Sequence, residues 1–146
     1  FKDKISIISK HKGLATSTLK KCKELWFELG SKTHNLDPKL HDKIFSLTSH
    51  LPHVVAFSLI SLLSKRKTSE YKKFIGGGLK DFTRIAESDP KMWENIFSLN
   101  KNNLLKDISD IEKEINKIKT FILQEDGSKL EEHLKKIKKT KESLNR

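Results

Sequence analysis

Residues 104–122, LLKDISDIEKEINKIKTFI, carry the clearest periodicity in this sequence. Their apolar side chains recur in alternating steps of four and three residues, at Leu104, Ile108, Ile111, Ile115, Ile118 and Ile122. Such spacing places a heptad-like seam along one face of a long α-helix. Residues 126–128, Asp-Gly-Ser, interrupt the pattern, and Leu130, Leu134 and Ile137 resume it on a last helix. Because the connection is short, the pattern predicts an antiparallel helical hairpin.

The seam is longer than one neighbouring hairpin helix needs. Exposed in a monomer, an apolar stripe of this length would promote aggregation. We therefore predict a homodimer in which helices of two subunits interlock and bury the seam.

The middle of the chain, from residue 38 to residue 100, also has a helical pattern. Asp37-Pro38 and Asp89-Pro90 each join a capping carboxylate to a proline suited to the first helical turn. The segments on both sides of Pro52 are helical in pattern, and this proline either kinks one long helix or divides two. Residues 76–78, Gly-Gly-Gly, precede a helix predicted over residues 79–88.

The first 37 residues have a different pattern, namely strand, helix, strand. Residues 4–9 are short and β-branched, and residues 32–36 are extended. Between them, residues 16–18 (Thr-Ser-Thr) offer hydroxyl caps to a predicted helix, and Gly30 ends that helix. Cys22 lies on the apolar face of the helix and is predicted to be buried. This order predicts a parallel strand pair. Two strands do not form a stable sheet alone, so we expect the end of a larger α/β domain.

Composition excludes several classes of protein. The 146 residues include one cysteine, which rules out an internal disulfide framework and a multi-cysteine zinc site, so we expect a cytoplasmic protein. No uninterrupted run approaches 18 apolar residues, so we expect no membrane span. The net charge is +11, but 27 of the 30 basic residues are lysines spread along the chain. A dispersed lysine excess favours a solvated surface over a nucleic-acid interface, although a basic helical binding module stays open as a rival function.

Two motifs could carry chemistry. His50 and His53 lie three residues apart beside Pro52 and share a helix face; the alternatives are one structural and one surface histidine, or a metal site for which no third ligand is evident. After the glycines, Lys80 and Arg84 lie four residues apart and can point the same way. Two cations at a helix start suit an anion, and Arg84 can hold a carboxylate. The glycines could equally be a hinge, with Asp81 neutralising the cations.

In their order and spacing these motifs resemble the prephenate/arogenate (cyclohexadienyl) dehydrogenase family. The residues that carry the resemblance are Leu36-Asp37-Pro38, His41-Asp42, residues 48–53, residues 76–90 and Met92-Trp93. It implies a mainly α fold. An all-helical dimerisation domain, like the C-terminal domain of 6-phosphogluconate dehydrogenase, would occupy residues 38–146, after a β-α-β remnant of a nucleotide-binding Rossmann domain over residues 1–37.

The resemblance also implies a reaction, the NAD- or NADP-dependent oxidative decarboxylation of prephenate to 4-hydroxyphenylpyruvate in tyrosine biosynthesis, or of arogenate to tyrosine. In the implied substrate site, Arg84 binds the side-chain carboxylate and Lys80 adds positive potential. His53 contacts polar groups of the substrate, with His50 behind it. Asp81 and Trp93 shape the site near the subunit interface. The family's glycine-rich dinucleotide loop and catalytic His-Pro dipeptide do not occur in this sequence. We therefore expect that this sequence is the C-terminal part of such an enzyme, that it is inactive alone, and that it holds no catalytic, cofactor-binding or metal-binding residue. Its expected partners are a second copy of the chain and a dicarboxylate substrate.

Overall fold

The structure is a computed structural model that describes residues 1–10, 13–66 and 68–144. Its chain divides into two units, Phe1–Leu104 and Leu105–Arg146. The predicted domain boundary between residues 37 and 38 falls inside the first unit and stays a prediction.

The first unit opens with a strand, a helix and a strand. β1 (Ile5–Ile8) is followed by α1 (Thr16–Glu28) and β2 (Lys32–Asn35). The strands are parallel, with Ile5 opposite Lys32 and Ile8 opposite Asn35. The predicted β-α-β order is confirmed.

Gly30 makes the turn between α1 and β2. Its φ is +78°, a left-handed conformation that glycine adopts without steric cost. Its carbonyl accepts a hydrogen bond of 3.0 Å from the N–H of Asp3. A β-carbon at Gly30 would lie 3.3 Å from the α-carbon of Lys2, a tight contact that adds crowding to the conformational strain.

Two details of α1 differ from the prediction. The helix already begins at Thr16, with Ala15 at the N-cap and no side-chain cap, so the three hydroxyl residues lie in its first turn rather than before it. Cys22 is exposed, not buried. The apolar face of α1 has only a two-stranded sheet as its neighbour in this part of the chain, and Leu25 and Phe27 are exposed as well.

One long helix follows the sheet. It consists of α2 (Pro38–Phe45), a π-helical turn (Ser46–His50) and α3 (Leu51–Ser64). The Asp37 carboxylate accepts hydrogen bonds from the N–H groups of Lys39 (3.0 Å) and Leu40 (3.2 Å), which confirms the predicted cap. Pro52 lies in the first turn of α3 and does not divide the helix. Instead, the turn before it widens, with the N–H of Leu51 bonded to the carbonyl of Ser46.

This continuous helix, Pro38–Ser64, has 27 residues and a mean hydropathy of 1.4 in its most apolar window. Within the described part of the chain it is the one helix long and apolar enough to cross a membrane, by length and composition only. Core helices of proteins that never enter a membrane meet the same test. The sequence prediction placed helix on both sides of Pro52 but counted only uninterrupted apolar runs. It therefore did not register this helix as a candidate span, because serines and histidines interrupt its apolar residues.

Shorter helices complete the first unit. They are α4 (Thr68–Tyr71), a 3-10 turn (Lys72–Phe74), α5 (Gly77–Thr83), a second 3-10 turn (Arg84–Glu87) and α6 (Pro90–Leu99). The helix predicted over residues 79–88 is thus a shorter α-helix that tightens into a 3-10 turn. Asp89 caps α6 by accepting a hydrogen bond of 2.6 Å from the N–H of Met92, as predicted. The buried apolar residues are Leu51, Ala56, Trp93 and Leu104.

α7 (Lys101–Leu123) starts in the first unit and continues into the second, where α8 (Gly127–Leu144) follows. The Asp126 carboxylate caps α8 at the N–H of Lys129 (3.0 Å). The rings of Phe121 and His133 lie 5.6 Å apart across the short connection, so the predicted pair of helices is confirmed.

Much of the apolar surface is uncovered in a single copy. Ile115 and Ile122 of the seam are exposed, and so are Leu134 and Ile137, which continue its pattern on α8. The chain exposes 12060 Å² in total. Two separate compact globules with the masses of the two units would expose only about 9,100 Å². The chain thus exposes more surface than two such globules would.

Candidate functional site

Two imidazoles and an indole form a cluster between the long helix and α6. The His53 ring stacks on Trp93, with ring centroids 3.6 Å apart and an angle of 25° between the planes. The His50 ring approaches the same indole edge-on at 6.1 Å. Phe57 and Phe97 extend the cluster, since their rings lie 6.4 Å apart and Phe97 is 5.4 Å from Trp93. As predicted, His50 and His53 share one face of the helix, and the rings of both lie next to Trp93.

Trp93 is the buried base of this cluster. Its side chain is 6% exposed, and its Nε1 atom has no hydrogen-bond partner within the described residues. The indole contributes packing and one unpaired donor, and it covers one face of the His53 ring.

The orientation of His53 is fixed by the backbone. Its Nδ1 lies 3.0 Å from the carbonyl oxygen of Ser49. A carbonyl only accepts, so Nδ1 carries a proton and donates it. In the neutral ring Nε2 is then left as a hydrogen-bond acceptor.

Asn100, the residue that joins α6 to α7, contacts the other histidine. Its Nδ2 lies 3.2 Å from Nδ1 of His50 and 2.7 Å from the carbonyl oxygen of Asp42. Its Oδ1 accepts a hydrogen bond of 2.8 Å from Nδ2 of Asn103. The Asn100 side chain is buried, and it ties the start of α7 to two turns of the long helix.

His50 is shifted toward its neutral form. Burial lowers its pKa from the usual 6.5, since an imidazolium loses hydration inside the protein. The carboxylate of Asp42 opposes this by raising the pKa, whereas His41 and His53 lower it further. The net direction is downward.

Lys80 and Arg84 lie in a second place, an open cavity of about 630 Å³ between α3 and α5. Its apolar wall includes Ile60 and Leu63 of α3 and Leu79 of α5. Both cations line it, as their spacing of four residues suggested. The helix α5 itself has only seven residues and begins at Gly77 after Gly76, so its N-terminus adds little.

Acidic groups also line this cavity. Asp81 and Glu87 accompany Lys80 and Arg84, so the formal charges balance. Within the part of the chain that the structure describes, no ion pair involves Lys80, Asp81 or Arg84. The alternative in which Asp81 pairs directly with one of the cations is not observed among the described residues. The guanidinium therefore keeps its donors for another partner.

The predicted site residues thus fall into two groups. His50, His53 and Trp93 lie together, and Lys80, Asp81 and Arg84 lie together. α3 connects the groups, because Ile60 of the cavity is seven residues beyond His53, about 10 Å along the helix axis.

Sequence reasoning missed two participants. Glu87 lies in the cavity, three residues after Arg84, where helical spacing could have suggested it. Asn100 contacts His50 across 50 residues of sequence, and no periodicity marks such a contact.

No group of three or more His, Cys, Asp or Glu side chains among the described residues is placed to hold a metal ion. The two histidines of the cluster instead have protein partners at Nδ1.

Comparison with known proteins gives consistent matches. Residues 37–136 match the family described as prephenate dehydrogenase, dimerization domain. Cyclohexadienyl dehydrogenase of Zymomonas mobilis is 33% identical over 124 residues, which are 83% of this chain and 42% of that protein. Prephenate dehydrogenase of Bacillus subtilis is 37% identical over 119 residues, 79% of this chain and 32% of that protein.

A solved structure matches nearly the whole chain. Prephenate dehydrogenase from Aquifex aeolicus, in complex with hydroxyphenyl propionate and NAD+, superimposes with a TM-score of 0.88 at 41% identity. The match covers 98% of this chain and 51% of that one. The chain therefore spans about one third to one half of the length of these relatives.

Proposed function

This chain belongs to the prephenate dehydrogenase family, and on that premise we propose that it is the C-terminal part of an enzyme that oxidises and decarboxylates prephenate to 4-hydroxyphenylpyruvate in tyrosine biosynthesis. The cofactor would be NAD or NADP, held mainly by residues outside this chain. We place the enzyme in the cytoplasm. Residues 38–146 would be its helical dimerisation domain, and residues 1–37 the end of its nucleotide-binding domain.

One observation carries this proposal, namely the 98% coverage of the chain by a homologous structure that holds hydroxyphenyl propionate and NAD+. Hydroxyphenyl propionate has the phenol ring and three-carbon carboxylate chain of 4-hydroxyphenylpyruvate, but not its keto group. It is thus a product analogue. At 41% identity the corresponding residues here are expected to form a related site.

The roles proposed for the side chains are those that the family resemblance implies, and the chemistry of each side chain fits its role. Arg84, with no ion pair among the described residues, would hold the side-chain carboxylate of the substrate by two parallel hydrogen bonds. Lys80 would add positive potential against Asp81 and Glu87. His53, supported by Trp93, would contact polar groups of the substrate, with His50 beside it.

A homodimer would bring further surface to this site. The seam members that are exposed in one copy, together with the excess of exposed area, support burial against a second copy. The matching family is itself described as a dimerization domain. We propose that the helical domain interlocks with its counterpart and that the site lies near that interface.

The experiment that tests this proposal measures the kinetics of the full-length protein with prephenate and NAD. Replacement of Arg84 by Ala should raise the KM for prephenate about 30- to 140-fold, because a hydrogen-bonded charge pair contributes about 2–3 kcal/mol. The KM for NAD should change less than about threefold, since the cofactor would bind elsewhere. Arg66→Ala is the matched control, because Arg66 is an exposed arginine just after α3.

Two results would contradict the proposal. An unchanged KM for prephenate in Arg84→Ala would remove the role of Arg84. Absence of prephenate oxidation in the wild-type protein would remove the reaction itself. Parallel assays with arogenate test the alternative substrate, which the name of the Zymomonas mobilis relative makes worth including.

A further inference from the structure

The amide of Asn100 can be oriented in only one way. One of its atoms lies 2.7 Å from the carbonyl oxygen of Asp42, and a carbonyl only accepts. That atom must therefore be the nitrogen. The oxygen then faces Nδ2 of Asn103, which donates to it.

This orientation decides where His50 carries its proton. The Asn100 nitrogen is also 3.2 Å from Nδ1 of His50, and an amide nitrogen only donates. Nδ1 of His50 must therefore accept, which leaves the proton of the neutral ring on Nε2. His53 has the opposite arrangement, because its Nδ1 donates to the carbonyl of Ser49.

We propose that Asn100 is a positioning residue that holds His50 as a neutral imidazole with its proton on Nε2, so that His50 and His53 offer the substrate one donor and one acceptor. The part that concerns the substrate rests on the proposed function. The part that concerns the proton does not. A paired donor and acceptor suits a hydroxyl group, which both donates and accepts.

The groups around His50 are consistent with a neutral ring. Asp42 and His41 face it from α2, His53 from α3, and Trp93 from α6. Only the Asp42 carboxylate favours a cation, and it is exposed to solvent. A proton on Nδ1 would in addition point at the Asn100 amide, donor against donor, and break that hydrogen bond.

Histidine nitrogen NMR on the full-length protein tests the proposal without substrate. Long-range proton–nitrogen correlations of His50, assigned with His50→Gln, should show the Nε2–H tautomer in the wild type. Asn100→Asp replaces the donor by an acceptor of nearly the same shape. It should move the proton of His50 to Nδ1 and raise the pKa of His50, because a carboxylate beside the ring favours the imidazolium. Asn102→Asp adds the same charge at an exposed neighbour on α7 and should leave the tautomer unchanged.

A wild-type His50 with its proton on Nδ1 would overturn the proposal, even if Asn100→Asp fails to fold. So would an unchanged tautomer in a folded Asn100→Asp.

Kinetics separate this inference from the proposed function. In an active enzyme, Asn100→Asp should raise the KM for prephenate about tenfold relative to Asn102→Asp, the effect of about one lost hydrogen bond. Equal KM values would overturn the substrate role. An enzyme without prephenate oxidation but with the expected tautomers would refute the proposed function and leave the proton assignment intact.

Discussion

Leu104 offers the sharpest test of the packing, because its neighbour on α7 is a built-in control. Leu104 is 4% exposed and Leu105 is 53% exposed. Truncation of leucine to alanine removes three carbons, and each buried one is worth about 0.8 kcal/mol of transfer free energy. Leu104→Ala should therefore cost about 2.4 kcal/mol plus a cavity contribution, in total about 3 kcal/mol. Leu105→Ala should cost about 1 kcal/mol, because half of its side chain already meets water and no closed cavity forms.

The assay is urea unfolding of the full-length protein, followed by helical circular dichroism. With a slope of about 2 kcal/mol per molar urea, Leu104→Ala should lower the midpoint by about 1.5 M and Leu105→Ala by about 0.5 M. Repeating the titration at several protein concentrations separates dimer dissociation from loss of packing within a subunit.

Equal midpoint shifts for the two variants at every concentration would refute the reasoning. So would a larger shift for Leu105→Ala that vanishes at high protein concentration. That result would mean that Leu105 is buried in the assembly and that exposure in one copy misjudges its contribution.

Three further outcomes are expected. Gly30→Ala should destabilise the protein by about 1–2 kcal/mol in the same assay, because alanine is strained at positive φ; Gly78→Ala, with nothing within 4 Å of the added carbon, should be neutral or stabilising. The contribution of His50 to the free energy of unfolding should fall as the pH drops from about 6.5 through the lowered pKa of His50, and it should be constant above 6.5. The reason is that the His50 imidazole takes up its proton at a higher pH in the unfolded chain than in the folded one. His50→Gln should remove this contribution to the pH dependence. Hydrogen bonds from Lys106 and Lys113 lower the pKa of the Asp110 carboxyl to about 2. The stabilising contribution of Asp110 is therefore present above pH 3.8 and is lost as the pH falls through about 2. Lys106→Met should raise the pKa of Asp110 in a carboxyl NMR titration.

Helix starts were predictable from sequence because the forces that set them are local. The carboxylates of Asp37 and Asp89 bond N–H groups only two or three residues away, and each following proline fits the first turn. The parallel strand pair was predictable for a related reason, since a strand, a helix and a second strand in succession allow few arrangements.

Burial was less predictable. Periodicity identifies the apolar face of a helix but not the surface that covers it. Cys22 lies on such a face and is nevertheless exposed, because only two strands of sheet accompany α1 here. Ile122 of the seam, on α7, is exposed as well. The spacing of apolar residues therefore does not tell which of them are covered in a single copy.

Residue spacing predicted the two pairs of the candidate site but not how the pairs are arranged relative to each other. The spacing of His50 and His53, and that of Lys80 and Arg84, correctly indicated side chains that share a face or a cavity. Their separation into two groups depends on how α3, α5 and α6 pack. Asn100 could not have been found, because its contacts with the long helix span 50 and 58 residues of sequence.

The π-helical turn before Pro52 has a geometric consequence for this site. Asp42 and His50 are eight residues apart, which in an uninterrupted α-helix would rotate them about 80° away from each other. The wide turn Ser46–His50 takes up one extra residue, so the pair acquires the relation of residues seven apart, which lie on one face. A single amide, that of Asn100, can then reach both. Deleting one residue from the turn would restore a uniform helix with the pair seven residues apart, so Asn100 should keep both partners. Closing the turn as a regular α-helix without a deletion would instead swing Asp42 around the axis by about 100° and leave Asn100 able to hold only one of them.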